Sequence, residues 1–452
     1  METLAFRPHS RTLLKNTTSR CTVCHMPCPA EVWKEGFPAR VYLNRTCPLH
    51  GEQSYLISSD ARFYWLAKGK ESNSCCGSGS CVSADGSTEG TLGRNAEGAE
   101  TLEKLSTCLA LIEIVEHCNL ACPTCYADSP EEKSTSSEFI PLEDLKNRIQ
   151  GVIDRKGNIE ILQLSGGEPT LHPELFELLT WLKGHPAIDY ILLNTNGVLL
   201  ATRPGFAQQL GDLMRTKLQL YLQFDGVQEE GQKTLRGLDL RNMRRRTIEA
   251  CEKAGILVTL AMTVIPENLA HLWDAIEFGL NQKNVQGITF QPCFTSGRTT
   301  EKSPAKRLNT ADIILGSVAQ SKGQLQFSDF TPLPCGDPNC ATISYLLRYE
   351  GKVHSISEFL NLQNLQGFLK DKIHYTLEDL VKCGCDSEPL GDLLKKLERS
   401  SSVAFRIMIK PFMDAASWDE DRIDRCCTHV IRKDGKLDSF CRYYSGFDGV
   451  TR

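Results

Sequence analysis

Between residues 109 and 292, six short apolar runs alternate with amphipathic stretches, and this alternation limits the fold more than any other feature of the chain. The runs are LALIEIV (109–115), IEILQLS (159–165), YILLNTN (190–196), LQLYLQFD (218–225), ILVTLAMTVI (256–265) and GITFQP (287–292). Between them lie helix-like segments at 142–155, 173–184, 206–216, 240–255 and 269–282. Strands that alternate with helices pair in parallel and carry the helices outside. Right-handed crossovers curl six such units into an open barrel. The expected fold class is therefore α/β, a partial (β/α)6 barrel, with ligands at the carboxyl ends of the strands.

The chain has 452 residues, enough for two or three units. Four segments are expected. Residues 1–66 form a cysteine-rich metal-binding module, 67–107 a flexible Gly/Ser-rich linker that also carries auxiliary cluster ligands, 108–292 the barrel, and 293–452 a C-terminal extension over its mouth. A net charge of −5 gives no basic field for nucleic acid. No apolar run reaches 18 residues, so no spanning helix is expected. The N-terminal stretch lacks an apolar signal core, which makes a cytoplasmic protein the expectation.

Twenty cysteines stand out, and they are grouped. Without a secretory signal, metal or iron–sulfur ligation is the better reading than disulfides. Cys118, Cys122 and Cys125 stand at C-x3-C-x2-C directly after the first strand. A structural zinc site closes with four ligands. Three thiolates on one loop instead suit a [4Fe–4S] cluster with one iron left open to chelate a small molecule. LSGGEP (164–169) ends the second strand, where Gly166 and Gly167 let backbone approach a ligand closely.

The C-x3-C-x2-C loop followed by GGEP resembles the radical S-adenosylmethionine (SAM) superfamily over roughly 109–292. CTVCHMPCPAEVWKEGFPARVYLNRTCPLHGEQ (21–53), LQFDG (222–226), FQP…SGR (290–298) and CCTHVIRKDGKLDSFCRYYSG (426–446) are similar to the tetraether lipid synthase and pterin C-methylase-like group. The resemblance implies that the open iron binds SAM and that the reduced cluster cleaves it to methionine and a 5′-deoxyadenosyl radical. That radical takes hydrogen from an unactivated carbon. It also implies C–C bond formation, as lipid-chain coupling or C-methylation of a pterin-like molecule, with a ferredoxin or flavodoxin as electron donor. A lipid substrate would make the protein peripheral to a membrane without a span. By position, Ser165, Gly166, Gly167 and Glu168 would bind the methionine amino group, mainly through backbone. Asn194, Asn196, Gln223 and Asp225 are candidates for ribose or carboxylate. The family's aromatic residue before the third cysteine is replaced by Thr124, so Tyr126 is the substitute for adenine contact.

Cys21, Cys24 and Cys47 resemble a rubredoxin-like or zinc-ribbon site, with Cys28 or His50 as fourth ligand to Fe or Zn. Cys76, Cys81 and Cys108, with Cys75, are an auxiliary cluster set. Cys335, Cys340, Cys383, Cys385 and Cys441 form a C-terminal set, joined by one of the adjacent pair Cys426 and Cys427, assigned to Cys427. Cys251 and Cys293 read as small buried hydrophobes. RNMRRR (241–246) reads as a solvated helix face, and His172 as a cap. The rival from another class is a non-catalytic iron–sulfur carrier or a zinc-stabilised interaction protein, which has no need for GGEP beside an open iron.

Overall fold

The computed structural model describes residues 11–66, 107–131, 139–299, 307–333, 336–349, 351–358 and 403–447. Cys75, Cys76, Cys81, Cys335, Cys383 and Cys385 lie outside the described residues, as does nearly all of the expected linker.

The N-terminal unit is a four-stranded antiparallel sheet of β1 (Thr12–Arg20), β2 (Pro27–Glu35), β3 (Arg40–Cys47) and β4 (Gly51–Ser58), in that order. Alternation along β2 and β3 turns Ala30, Val32, Val41 and Leu43 to one face, which forms a small core. Two turns at one end of the sheet carry the cysteines.

The barrel is built from β5 (Leu109–Val115), β6 (Ile159–Gly166), β7 (Ile188–Thr195), β8 (Leu218–Gln223), β9 (Leu257–Val264) and β10 (Val285–Pro292). All five adjacent pairs are parallel. The connecting helices are α1 (Leu142–Lys156), α2 (Leu175–Gly184), α3 (Val198–Thr202), α4 (Phe206–Met214), α5 (Glu229–Arg236), α6 (Arg241–Ala254) and α7 (Leu272–Leu280). Their apolar stripes (Leu145 and Ile149 on α1, Leu178 and Leu182 on α2, Ile248 on α6) pack on the outward residues of the strands in one continuous core. The sequence-based runs match these strands to within two residues. The helix α5 has no apolar run to announce it, because EEGQKTLR buries chiefly Leu235 and the polar residues Gln232 and Arg236.

The described residues of the C-terminal extension join the barrel sheet and lengthen it at both edges. At one edge, β14 (Val403–Ile409) pairs in parallel with β10. Beyond it, β12 (Thr342–Tyr349) lies antiparallel, flanked by β11 (Thr331–Pro332) and β13 (Lys352–Ser355). At the other edge, β15 (Thr428–Ile431) pairs in parallel with β5 and carries the short β16 (Leu437–Ser439). The helices α8 (Thr310–Gln320), α9 (Glu420–Asp424) and α10 (Phe440–Ser445) complete the extension. Twelve strands share this sheet.

The N-terminal sheet is fastened to the loop before α9. Arg45, buried at 1% exposure, donates to the carbonyls of Ala415 and Ala416. Ser19 donates to the Trp418 carbonyl at 2.5 Å, and Lys15 pairs with Asp419 and Asp421. No helix among the described residues is long and apolar enough to cross a membrane.

Candidate active site

The loop that follows β5 carries Cys118, Cys122 and Cys125, and the end of β6 packs directly beneath it. The amide of Gly167 donates to the Val115 carbonyl at 2.8 Å, and that of Glu168 to the His117 carbonyl at 3.0 Å. A Cβ on Gly166, whose φ is +123°, would overlap the Val115 carbonyl, and one on Gly167 would overlap the His117 carbonyl. Both glycines are required by this close approach of backbone to backbone.

A second clamp comes from residues 296–298. Cys125 and Arg298 exchange backbone hydrogen bonds of 2.8 and 2.9 Å. The Arg298 side chain donates Nε to the Cys122 carbonyl at 2.8 Å and Nη2 to the Ser129 carbonyl at 3.1 Å. Ser296 donates to the carbonyls of Tyr126 and Tyr444. A third tie is Arg236 at the end of α5, which donates to the Thr124 carbonyl at 3.1 Å. The sequence contained SGR but offered no role for it, because its partners lie some 170 residues away.

Burial makes two of the three loop thiols costly to ionise. The Cys118 thiol is pushed up to about 12, first by burial and then by the nearby charges of Glu168, Cys122 and Cys125. Burial likewise raises Cys122, with the Arg236 guanidinium opposing it. A polycationic iron core would neutralise such thiolates, and all three cysteines line one cavity. The residues fit a three-thiolate [4Fe–4S] site.

The strand-end candidates divide into two kinds. Glu168 is 1% exposed, and its carboxylate accepts from Thr170 N and Oγ1, Thr195 Oγ1 and Asn196 N, at 2.6–3.1 Å. Its side chain ties β6 to β7. Asp225, also fully buried, forms a bidentate pair with Arg236 at 2.7 and 2.9 Å and accepts from Thr263 N. Asn196 bridges to Asn119 Oδ1 at 2.7 Å. These three line the cavity, and their side chains are engaged in the frame around it. Asn194, Ser165 and Tyr126 form a looser polar set, with Asn194 Nδ2 at 3.1 Å from Ser165 Oγ and 3.5 Å from Tyr126 Oη. The Tyr126 ring stands edge-on to Tyr444 at 4.8 Å and near Phe440 at 5.5 Å. Gln223 Oε1 accepts from Arg244 Nη2 at 3.1 Å, which fixes the side-chain NH2 as the group it offers the cavity.

Arg244 corrects the reading of RNMRRR as a solvated face. It is fully buried and also donates to the Asn196 carbonyl, while Arg241 alone of the pair with Arg244 stays near the surface, bound to Asp239 and Glu229. His172 does cap, with Nδ1 accepting from Glu174 N at 3.1 Å and Nε2 set 2.9 Å from the Ile140 carbonyl.

The cavity, about 200 Å³, runs from the three-cysteine loop down the barrel lumen. Its middle is lined by Gln163, Tyr221, Thr259, Thr289 and Gln291, with an apolar side of Leu111, Leu192 and Met408. Cys340 and Cys427 reach it from the C-terminal extension. These two gather with Cys426 and Cys441, and burial first, then their mutual charges, pushes Cys426 to about 11 and Cys427 and Cys441 to about 12. Cys108 donates its amide to the Cys427 carbonyl and is disulfide-bonded. Cys251 is buried in the core under α6, and Cys293 lines the cavity.

In the N-terminal unit, Cys21, Cys24, Cys47 and His50 bring one donor atom each within 4.8 Å of one another. Of the two candidates for the fourth place, Cys28 and His50, it is His50 that joins the group. The Cys28 Sγ lies behind the group and donates to the Met26 carbonyl at 3.3 Å, because β2 has already begun and turns it inward. Burial opposes ionisation of Cys47, but the amides of Leu49 and His50 and the His50 ring bring its thiol down to about 6.

Residues 112–279 match the family model described as Radical SAM superfamily, and residues 13–59 match the HMPTM N-terminal zinc ribbon domain. A 7,8-dihydro-6-hydroxymethylpterin dimethyltransferase of Methanocaldococcus jannaschii is 26% identical over 494 residues, covering 95% of this chain and 93% of that protein. A GTP 3′,8-cyclase of Pelotomaculum thermopropionicum is 30% identical over 100 residues, 22% of this chain and 30% of that one. Among solved structures, anSMEcpe with bound AdoMet is 22% identical with a TM-score of 0.37, over 48% of this chain and 60% of that chain.

Proposed function

Since this chain belongs to the radical SAM superfamily, with the matching domain over residues 112–279, we propose that it forms a C–C bond on a compact polar heterocycle of the pterin type. The observation that carries this reading is the single cavity shared by Cys118, Cys122 and Cys125, the GGEP turn and a lumen of amides and hydroxyls. Gln163, Tyr221, Thr259, Thr289 and Gln291 line the lumen with amides and hydroxyls that, although several already have protein partners, keep spare donors and acceptors suited to a polar ligand rather than an alkyl chain. A flat heterocycle with ring nitrogens and an exocyclic amide would meet them. The similarity to a pterin dimethyltransferase along nearly the whole chain supports the same choice over a lipid.

In this reading Cys118, Cys122 and Cys125 hold a [4Fe–4S] cluster. When bound, that cluster supplies the electron that cleaves SAM and so generates the radical that takes hydrogen from the substrate. The chain's own residues position and shield. Backbone groups of Gly166 and Gly167 receive the methionine end of SAM, and the Gln223 NH2 group faces its oxygen atoms. Tyr126, packed on Tyr444 and Phe440, supplies an aromatic edge for adenine. The clamps at Arg298 and Arg236 hold the cysteine loop against the strand ends, which keeps donor and acceptor in a fixed geometry. Cys340, Cys426, Cys427 and Cys441 would hold an auxiliary cluster on the far side of the substrate, and Cys21, Cys24, Cys47 and His50 a structural zinc or iron. Electrons would come from a ferredoxin or flavodoxin.

The test is anaerobic reconstitution followed by reduction with SAM and 7,8-dihydro-6-hydroxymethylpterin. Formation of 5′-deoxyadenosine together with a pterin heavier by one or more carbon units is the expected result. 5′-Deoxyadenosine with the pterin unchanged would exclude the substrate class, and its absence would favour an electron carrier.

A further inference from the structure

Charge within the cavity is arranged in a way that bond formation at carbon does not require. Five charged side chains line it: Glu168, Asp225, Arg236, Arg406 and Lys410. Glu168 is engaged by Thr170, Thr195 and Asn196, and Asp225 by Arg236. The other two are both cations, Arg406 on β14 and Lys410 just past its end, and β14 is the strand that the C-terminal extension adds beside β10.

Arg406, Met408 and Lys410 share the lumen face of β14 and its continuation, as alternate residues of a strand must. At about 3.3 Å per residue, Arg406 and Lys410 stand about 13 Å apart along the lumen. Lys410, at the upper end, donates to Thr428 Oγ1 at 2.8 Å and lies close to Cys426 and Cys427, so it belongs with the C-terminal cysteines. Arg406 sits lower, beside Gly287. Its charge opposes the upward push that burial gives the phenols of both Tyr190 and Tyr221, and strand register sets it level with Thr259 and Tyr221 in the lumen. Around it are hydroxyls, with Tyr221 hydrogen-bonded to Thr289 and to Gln291 Nε2 at 3.0 Å. Arg406 makes a further contact of its own, but a guanidinium carries five donors.

A planar cation beside hydroxyls within a lumen matches an oxyanion, which it can grip with two parallel hydrogen bonds. We propose that the β14 side of the lumen is an anion subsite, in which Arg406, aided by Tyr221 and Thr289, receives a phosphate or carboxylate carried by the substrate. The substrate then stands anionic end down, with its reacting carbon toward the three-cysteine loop. This rests on the pterin reading only for the choice of probe.

The experiment uses the full chain, loaded with metal under anoxia, and measures binding of four probes. They are 7,8-dihydro-6-hydroxymethylpterin, its phosphate monoester, the corresponding 6-carboxylate and inorganic pyrophosphate. One of the two anionic pterins should bind at least about tenfold more tightly than the neutral alcohol, the scale of one charge-assisted hydrogen-bond pair. Which of them does so identifies the anion. Arg406→Gln should erase that preference and Arg406→Lys should keep part of it, so the outcome survives if the first variant fails to fold. Equal binding of all three pterins, or a preference that persists in Arg406→Gln, overturns the subsite. If no pterin binds but pyrophosphate does, dependent on Arg406, the subsite stands and the pterin reading falls. If none of the four binds, the subsite falls.

Discussion

Replacement of Arg236 by methionine removes the cation facing Asp225 and keeps an unbranched, apolar stem in its place. Asp225 is 0% exposed and Arg236 7% exposed at the side chain, so no water replaces the lost partner. Two charge-assisted hydrogen bonds, of 2.7 and 2.9 Å, disappear together with the donations to Thr263 Oγ1 and to the Thr124 carbonyl. Each such bond is worth about 1.5–3 kcal/mol. The larger consequence is the carboxylate left behind, retaining only the Thr263 amide, and a buried pair broken in this way costs about 3–5 kcal/mol. Arg236→Met should therefore lose that amount in anaerobic urea denaturation. Asp225→Asn combined with Arg236→Met removes the stranded charge and should recover at least about 2 kcal/mol of it, giving a coupling of that size in a double-mutant cycle. A single-variant loss below about 1 kcal/mol, or two losses that simply add, would refute the assignment of this pair as the frame beneath the cysteine loop.

Three further outcomes follow from the same geometry. Gly167→Ala sets a methyl group against the His117 carbonyl, and because that neighbour is backbone the turn must move; a loss of about 1–3 kcal/mol and a fall of more than about tenfold in SAM affinity are expected in denaturation and calorimetry. Metal at the N-terminal site needs the Cys47 thiolate, whose thiol lies at about 6. The site also needs the Cys21 and Cys24 thiolates, and Cys24 is held above the ordinary thiol value, so protons compete with metal through the neutral range and zinc affinity should fall steadily as pH drops from about 8 to about 6, as read by a chromogenic chelator. Arg298→Gln releases the carbonyls of Cys122 and Ser129 and should lower the iron retained after gel filtration while leaving zinc at the N-terminal site unchanged.

The six barrel strands were legible because each is a local apolar run, and the cysteine loop and GGEP because their spacing is local too. What the sequence hid is nonlocal. β14 and β15 lie more than 100 residues from the strands they join, and their short runs name no partner. α5 was missed because its buried residues are polar and charged, serving the frame around Asp225 rather than an apolar core. Polar residues at strand ends were correctly located, yet whether a carboxylate faces a ligand or a neighbour depends on side chains far away in sequence. Glu168 and Asp225 face neighbours, and the arginines that decide this for Asp225 and Gln223 read as ordinary helix charges. His50 over Cys28 was likewise a matter of which way β2 turns its first residues.

The account stands on an iron site held by only three thiolates and open to SAM. Its most direct test is electron paramagnetic resonance of the anaerobically reconstituted, reduced chain with and without SAM, compared with the Cys118→Ala/Cys122→Ala/Cys125→Ala variant. The account predicts a [4Fe–4S] signal whose g values shift when SAM is added, and the loss of that SAM-responsive signal in the triple variant. A spectrum indifferent to SAM, or one unchanged by removal of the three cysteines, would contradict it.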